Sequence, residues 1–583
     1  MNRYSMIFAL LVASSFAVHP TPAGNGTSPA GGATDTEKNR QHHGAPAAVG
    51  NQLLVEDPNA FIQRFLEKAP DAAKATQTVQ VLFATVPHPV ETHLAAAFDH
   101  NVDALEDGLR DAGYLFDSSL IPWRTHSTRD DFDDDVKEMN AKNLEDETPG
   151  ILLFRRNHLG ANAYAEGMVV FLISEKPTQG ISYSQVKTAW TIIGKENLKL
   201  QDPIRILGPT FSGSFASLVS MVGFFRANKL NLPFRIRSGG ITLGRSADEA
   251  VADIVKLWPG TKVDFGSAMH DNADWIAGAV SAFGRIGIDE DSTAILSEGE
   301  SLYGEAQSKS GDTPDGGQEG AAEQASNGVW RIGYPRDISS LRAGYESQGI
   351  FDSSSPMQAW KRALTLKNDT QGEGDSVQSF GGEETVAAQE SVLFGIADFL
   401  KTHGIRAVII SATNEEDSYF LTQFLHSRDS HVRVAVIGSS RLFMRVSTMQ
   451  FRGDLVVDSF PMLPRLHDWT DTQNQHSGHV FADDVAQGVY FAALDLFAEH
   501  IDSYAEYSPP DWDPNAAPEH WPPMYVAAMG SDSTWPVGEA PGIQFYCAHA
   551  GPSTVGMPFT LLGFQHPIQK RALFTGKPFR FLG

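Results

Sequence analysis

The chain has 583 residues, 42% hydrophobic and 20% charged, with a formal net charge of −26 and a single cysteine, Cys547. That length allows two or three domains with sizeable cores, and the composition is that of an ordinary globular protein. The acidity excludes nucleic acid as a partner and leaves no polybasic patch for an anionic membrane, and one cysteine excludes an intrachain disulfide.

Residues 1–23 read as an export signal: Arg3 precedes the apolar run Met6 to Val18, with small residues at Ala17 and Ala23. No later stretch holds the ~20 unbroken apolar residues of a membrane helix, so the expected location is periplasmic or otherwise extracytoplasmic. Residues 24–57, rich in Gly, Pro, Ala and Thr, read as a disordered tether, and 58–74 as a small amphipathic helix. Val79 to Val86 is a hydrophobic strand stopped at Pro87-His88-Pro89. Phe98, Val102, Leu105 and Leu109 then recur at helical spacing, and Gly113 ends that helix. Leu115 to Trp123, Ile151 to Phe154 and Met168 to Ser174 are strand candidates, and Tyr183 to Ile193 is a helix. The Asp-rich run at 130–135 lacks the ligand spacing and internal glycine of a calcium loop and reads as a solvated helix start.

The stretch with the most chemistry is Ile204 to Leu218, IRILGPTFSGSFASL. A short buried strand breaks at Gly208-Pro209, and Ser212-Gly213-Ser214 open an apolar helix from Phe215 to Arg226. Free backbone N–H groups and the positive end of a helix dipole make such a junction an anion site. A serine N-cap with no ligand is the competing reading. Gly208 and Gly213 have the outer spacing of a phosphate-binding P-loop, but Ser214 stands where that motif needs lysine. No cofactor is therefore expected.

Further on, Phe234 to Leu243 reads as a strand running into Ser238-Gly239-Gly240, and Val263 to Ala268 leads to a helix from Ala273 to Phe283. Ala294 to Leu296 is a strand followed by a polar loop ending in Tyr303-Gly304. A low-complexity insert at 308–328 reads as a mobile surface loop, a second low-complexity insert lies at 367–385, and Met357 to Leu366 between them is a helix. Val386 to His403 is a helix, Ala407 to Ala412 a strand, Asn414 to Asp417 an acidic turn and Tyr419 to Leu425 a helix. Val432 to Ile437 and Asp454 to Asp458 are strands, Val485 to His500 is a helix, and the Pro-, Trp- and Gly-rich tail at 509–583 has no evident place. Apolar strands alternating with helices point to an α/β fold of parallel sheets covered on both faces. Ligands then sit beyond the carboxyl ends of strands, at Thr85 to Pro89, Gly208 to Ser214 and Ser238 to Thr242.

Other chemistry is incomplete. His467, Asp468, Asp471, His476 and His479 lack the helical histidine pair of a zinc protease and read as a polar loop, not a metal site. Cys547 beside His549 is a short-range coincidence, and Glu298 with Glu300 reads as well for ligand contacts as for an acid–base pair. No nucleophile elbow is present, and no set of nucleophile, base and orienter assembles, so a binding protein rather than an enzyme is expected.

The order of these pieces resembles the type I periplasmic binding proteins, the two-lobed receptors of branched-chain amino acid uptake. ILGPTFSGS resembles the strand and serine loop that in that family receives the ligand carboxylate. VDFGSAMHDNADWIAGAVSAFGRIGIDEDSTAILSEGESLYGE resembles the crossover into the second lobe, whose Tyr-Gly loop brings a tyrosine to the ligand. GIRAVIISATNEEDSYFLTQFL and VRVAVIGSSRL resemble second-lobe strands with their turns. The resemblance implies a first lobe over 78–270, with part of 455–530 returning to it, and a second over 271–455. It implies closure on a small polar, zwitterionic ligand. Ser212, Gly213 and Ser214 would bind the carboxylate, with Thr85, Ser238, Gly239 and Thr242 beside them. Asn414, Glu415, Glu416 and Asp417 would meet the cation, with Glu298 beside them and Tyr303 covering the apolar part. A membrane permease or another envelope protein would be the macromolecular partner. The alternative is a regulatory or structural interaction protein that keeps the fold without a small ligand.

Overall fold

In the computed structural model, the described residues span 57–540 and belong to one compact unit, Val55–Gly583. Excepted within that span are 68–77, 90–94, 124–146, 157–165, 177–178, 212–213, 229, 241–246, 271, 300–321, 325–327, 336–337, 348–384, 413, 439–442, 444–450, 461–480, 498–523 and 531–533. The signal, the tether, the Asp-rich run, the Met357 to Leu366 helix, the His467 to His479 cluster and Cys547 all lie outside the described residues.

The first lobe is built on β1 (Thr78–Pro87), β2 (Tyr114–Leu120), β3 (Gly150–Arg156), β4 (Glu166–Lys176), the two-residue β5 (Gly180–Ile181), β6 (Ile204–Leu207), β7 (Phe234–Ser238) and β8 (Val263–Ser267). The second holds β9 (Thr293–Glu298), β10 (Ala322–Gln324), β11 (Trp330–Tyr334), β12 (Ala407–Ser411), β13 (Arg433–Ile437), β14 (Leu455–Asp458), β15 (Met524–Met529) and β16 (Thr534–Ala540). The strand orders are β2-β3-β4-β1-β6-β7-β8 and β10-β11-β9-β12-β13-β14-β15-β16. Within them, β4-β1-β6-β7-β8 and β11-β9-β12-β13-β14 are parallel throughout. Numbered along the chain, both cores have the same order, 2-1-3-4-5. Ala294 to Leu296 and Ile204 to Leu207 thus lie in separate sheets.

The apolar runs are explained by burial on both faces. Along β1, Leu82, Ala84 and Val86 join one core cluster while Val81 and Phe83 join another. Along β12, Ala407 and Ile409 face one way, Val408 and Ile410 the other. Helices α1 (Pro58–Glu67), α3 (Tyr183–Lys195), α4 (Phe215–Ala227) and α5 (Ala247–Leu257) supply the outer core of the first lobe. Helices α7 (Ser339–Ser347), α8 (Val386–Thr402) and α9 (Glu415–Arg428) do so for the second. The inner core draws on α2 (Ala95–Asp111), α6 (Asn272–Arg285) and α10 (Asp484–Phe497) and is continuous between the lobes.

The chain passes between lobes three times. After β8 it enters α6, which packs on β12 to β15. After β14 it returns as α10, which packs on α2, β6 and β7, and it then rejoins the second sheet as β15. The first two passages touch: His270 N donates to Ser459 Oγ at 2.7 Å, as does Trp275 Nε1 at 3.2 Å. Within the second, Phe460 stacks on Phe491 at 5.6 Å. Arg237, buried at the end of β7, anchors α10 by pairing with Asp495 while also holding Asp264 at 2.9 Å.

Four expectations change. The first sheet is not wholly parallel, because β2 and β3 add antiparallel outside β4. The tail supplies β15 and β16, an antiparallel edge hairpin, and Pro536 lies in its outermost strand, beside a register shift in the ladder. The segment at 308–328 is not all loop: Ala322–Gln324 pairs antiparallel with β11, since an edge ladder needs only backbone. The acidic turn is the first turn of α9, started by Asn414, whose side chain accepts from Glu416 N at 2.8 Å.

Candidate functional site

The carboxyl ends of the two parallel cores carry the candidate residues. In the first lobe, β1 ends near Thr85, β4 at Glu175–Lys176, and β6 runs into Gly208 to Phe211. Gly208 takes φ +119°, and a Cβ there would fall 1.9 Å from Thr85 Oγ1, so only glycine brings the loop this close. The loop's free N–H groups point at a carboxylate, as an anion site should, but it is the chain's own. Thr210 N donates to Glu175 Oε2 at 2.9 Å and Phe211 N to Oε1 at 2.7 Å. Glu175 is fully buried, and loss of water pushes its pKa above the usual carboxylate range against the lowering effect of these bonds. The buried hydroxyls of Thr85 and Ser214 also favour its charged form, although neither reaches full hydrogen-bond geometry. Ser214 begins α4 and makes no side-chain cap bond.

Ser238 and Gly239 have structural partners. Ser238 Oγ donates to Pro209 O at 2.7 Å, which pins the loops after β6 and β7 together. Gly239 lies against the first turns of α10, where a Cβ would sit 2.5 Å from Val489 N. In the second lobe Glu298 ends β9 half-buried, and Asn414 to Asp417 gather at the start of α9. Two of the acids there are paired with Arg342 on α7, itself 1% exposed: its Nε lies 2.7 Å from Asp417 Oδ1, and its Nη1 bonds Glu416. Ser212, Gly213, Thr242 and Tyr303 lie outside the described residues.

Beyond the shared inner core, the lobes also approach around the start of α10. A Cβ on Gly438, just after β13, would lie 2.9 Å from Asp484 Oδ2 at the start of α10. His100 on α2 bonds Asp483 at 2.9 Å, and its pKa is raised first by that bond and further by the charges of Asp483, Glu415 and Asp103. Glu415 belongs to the other lobe, so the field at His100 is acidic from both sides. Sequence reasoning missed Glu175, Arg342, His100 and Asp483. Asn414 followed by three acids was an available N-terminal signature of α9. Among the described residues, no group of three His, Cys, Asp or Glu side chains could hold a metal, and no helix is long and apolar enough to cross a membrane.

No family model matches the chain, and no curated protein matches it. Among solved structures it is similar to an ABC transporter substrate-binding protein from Desulfitobacterium hafniense, at 10% identity and TM-score 0.35, over 79% of this chain and 100% of that one. A solute-binding protein of an ABC transporter from Rhodopseudomonas palustris BisB5, in complex with 3,4-dihydroxybenzoic acid, has 10% identity and TM-score 0.37 over 80% and 98%. The closed leucine-, isoleucine-, valine-, threonine- and alanine-binding protein from Brucella ovis has 11% identity and TM-score 0.37 over 79% and 94%. The repeated 2-1-3-4-5 parallel core and the three passages between lobes make this an α/β architecture of two mostly parallel sheets flanked by helices.

Proposed function

We propose that the chain is an exported solute receptor that closes its two lobes on a small polar molecule. The observation that carries this reading is that two sheets share the 2-1-3-4-5 order and that loops at their carboxyl ends, Gly239-Gly240 after β7 and Gly438 after β13, both lie against the first turns of α10, in the region where strand order reverses and ligands settle. Contacts made to both lobes at once would drive closure, and a permease or other envelope protein would read the closed form. The acidic field from Asp483, Asp103 and Glu415 supports a solute with a cationic group. The anionic half of a zwitterion finds less support, because Glu175 already takes two of the loop N–H groups. The test is calorimetry of the purified chain against amines and amino acids. Sub-millimolar binding of any member supports the receptor reading, and no binding by folded protein removes it. Glu175 also favours the second reading, an interaction protein whose small-ligand site is filled from within; absence of all solute binding would select it.

A further inference from the structure

Resting on the receptor reading for its consequence in solute choice, we infer that Glu175 is a specificity-determining residue. It stands in for a solute carboxylate, closing the first-lobe loop to carboxylates in the native chain and leaving that loop able to take one when the side chain is removed. In β4, Glu175 pairs with Pro87 of β1 and Ile181 of β5, and its carbonyl accepts from His88 N at 3.0 Å. Its main chain is therefore fixed while its side chain reaches the loop after the neighbouring β6.

The cradle offers more than the tethered carboxylate uses. Thr210 N and Phe211 N bond its two oxygens, while the hydroxyls of Thr85, 3% exposed, and Ser214, 0% exposed, stand beside it without a full bond. Both hydroxyls are buried, and the start of α4 adds the positive end of its dipole. Two methylenes tie the carboxylate to β4, and it makes full bonds with only two of the four donors. A free carboxylate of similar size could centre itself on all four. These are the surroundings that favour an anion, and burial of an unpaired donor set is costly. Truncating Glu175 would thus leave a cavity with the donors of an anion site and no anion.

The test is Glu175→Ala in the full chain, followed by thermal unfolding at pH 7 in sodium formate, sodium acetate and sodium chloride of equal ionic strength. The variant should be less stable than wild type in chloride. Formate should restore stability in a saturable way, with apparent affinity roughly tenfold or more above chloride, and wild type should not respond. Equal behaviour of variant and wild type in formate and chloride overturns the inference. If the variant does not fold in chloride, refolding yield in formate against chloride is read instead, and equal yields overturn it. Calorimetry of valine against isobutylamine tests the consequence: wild type should not prefer valine, whereas the variant should gain preference for it. A wild-type preference for valine sinks the specificity role. Formate rescue without any solute binding by wild type removes only the receptor reading; solute binding without rescue removes only the inference about Glu175.

Discussion

Replacing Arg342 by methionine tests whether the acids at the start of α9 are held for the fold or held out for a solute. Arg342 is 1% exposed and grips Asp417, whose side chain is 5% exposed, and Glu416, at 28%. Methionine keeps most of the volume and removes the guanidinium, so the change acts through charge rather than a cavity. Stripping one partner from a buried pair costs ~3–5 kcal/mol. The α9 N-terminus returns ~0.3–1 kcal/mol to the abandoned carboxylates, and the more exposed Glu416 regains water at a cost of ~0–1 kcal/mol. A net loss of ~2–6 kcal/mol at pH 7 is expected, read from urea unfolding with an unchanged m-value. Adding Asp417→Asn should recover about half of the loss, because the uncompensated charge is its main source. A loss under about 1 kcal/mol, or strictly additive effects in the double variant, would refute the reasoning and return Asp417 to the pool of solute contacts.

Gly488→Ala should lower the melting temperature by several degrees, because its Cβ would sit 1.8 Å from Gly239 O and overpacking of ~1–3 kcal/mol outweighs the better helix propensity of alanine. Asp454→Ala should cost ~2–4 kcal/mol in denaturant unfolding, since this buried carboxylate accepts from His426 Nε2 at 2.6 Å and Val434 N at 3.0 Å. A loss within about 0.5 kcal/mol at either position contradicts its assigned contact. His100 has a raised folded-state pKa, so its contribution to stability is complete below about pH 6.5 and is lost as pH rises through the folded value. Asp483→Asn should move the His100 titration, followed by NMR, back toward the ordinary range and flatten that part of the stability profile; an unmoved titration refutes the pairing.

The parallel cores were legible because a strand buried on both faces leaves an unbroken apolar signature, as VQVLFATV and AVIIS do. Elements lacking that signature were lost. Trp330–Tyr334 is five residues in a Gly- and Ser-rich interval, and the hairpin of β15 and β16 carries Trp535 and Pro536 on an edge strand, where turn residues and strand residues look alike. The start of α9 was read as a turn for a different reason. An acidic run looks the same in a polar turn as at a helix N-terminus, and Arg342, which pairs with Glu416 from 74 residues upstream, is beyond local reading.

Glu175 carries that point furthest. After the apolar run Met168 to Ser174, a charged pair such as Glu175-Lys176 reads as the strand reaching water, and local sequence offers no other reading. The side chain is instead fully buried, and its donors lie 35 and 36 residues away on a loop placed by the order β4-β1-β6. Local geometry pointed to a carboxylate at this strand-to-helix junction, with a serine N-cap and no ligand as the competing reading. Which carboxylate binds is a matter of long-range register, which no local pattern encodes. A carboxyl group this deep is tolerated only where donors are already arranged for it. The loop's capacity for an anion is therefore what makes Glu175 affordable there, and the same capacity is what its removal would hand to a free carboxylate.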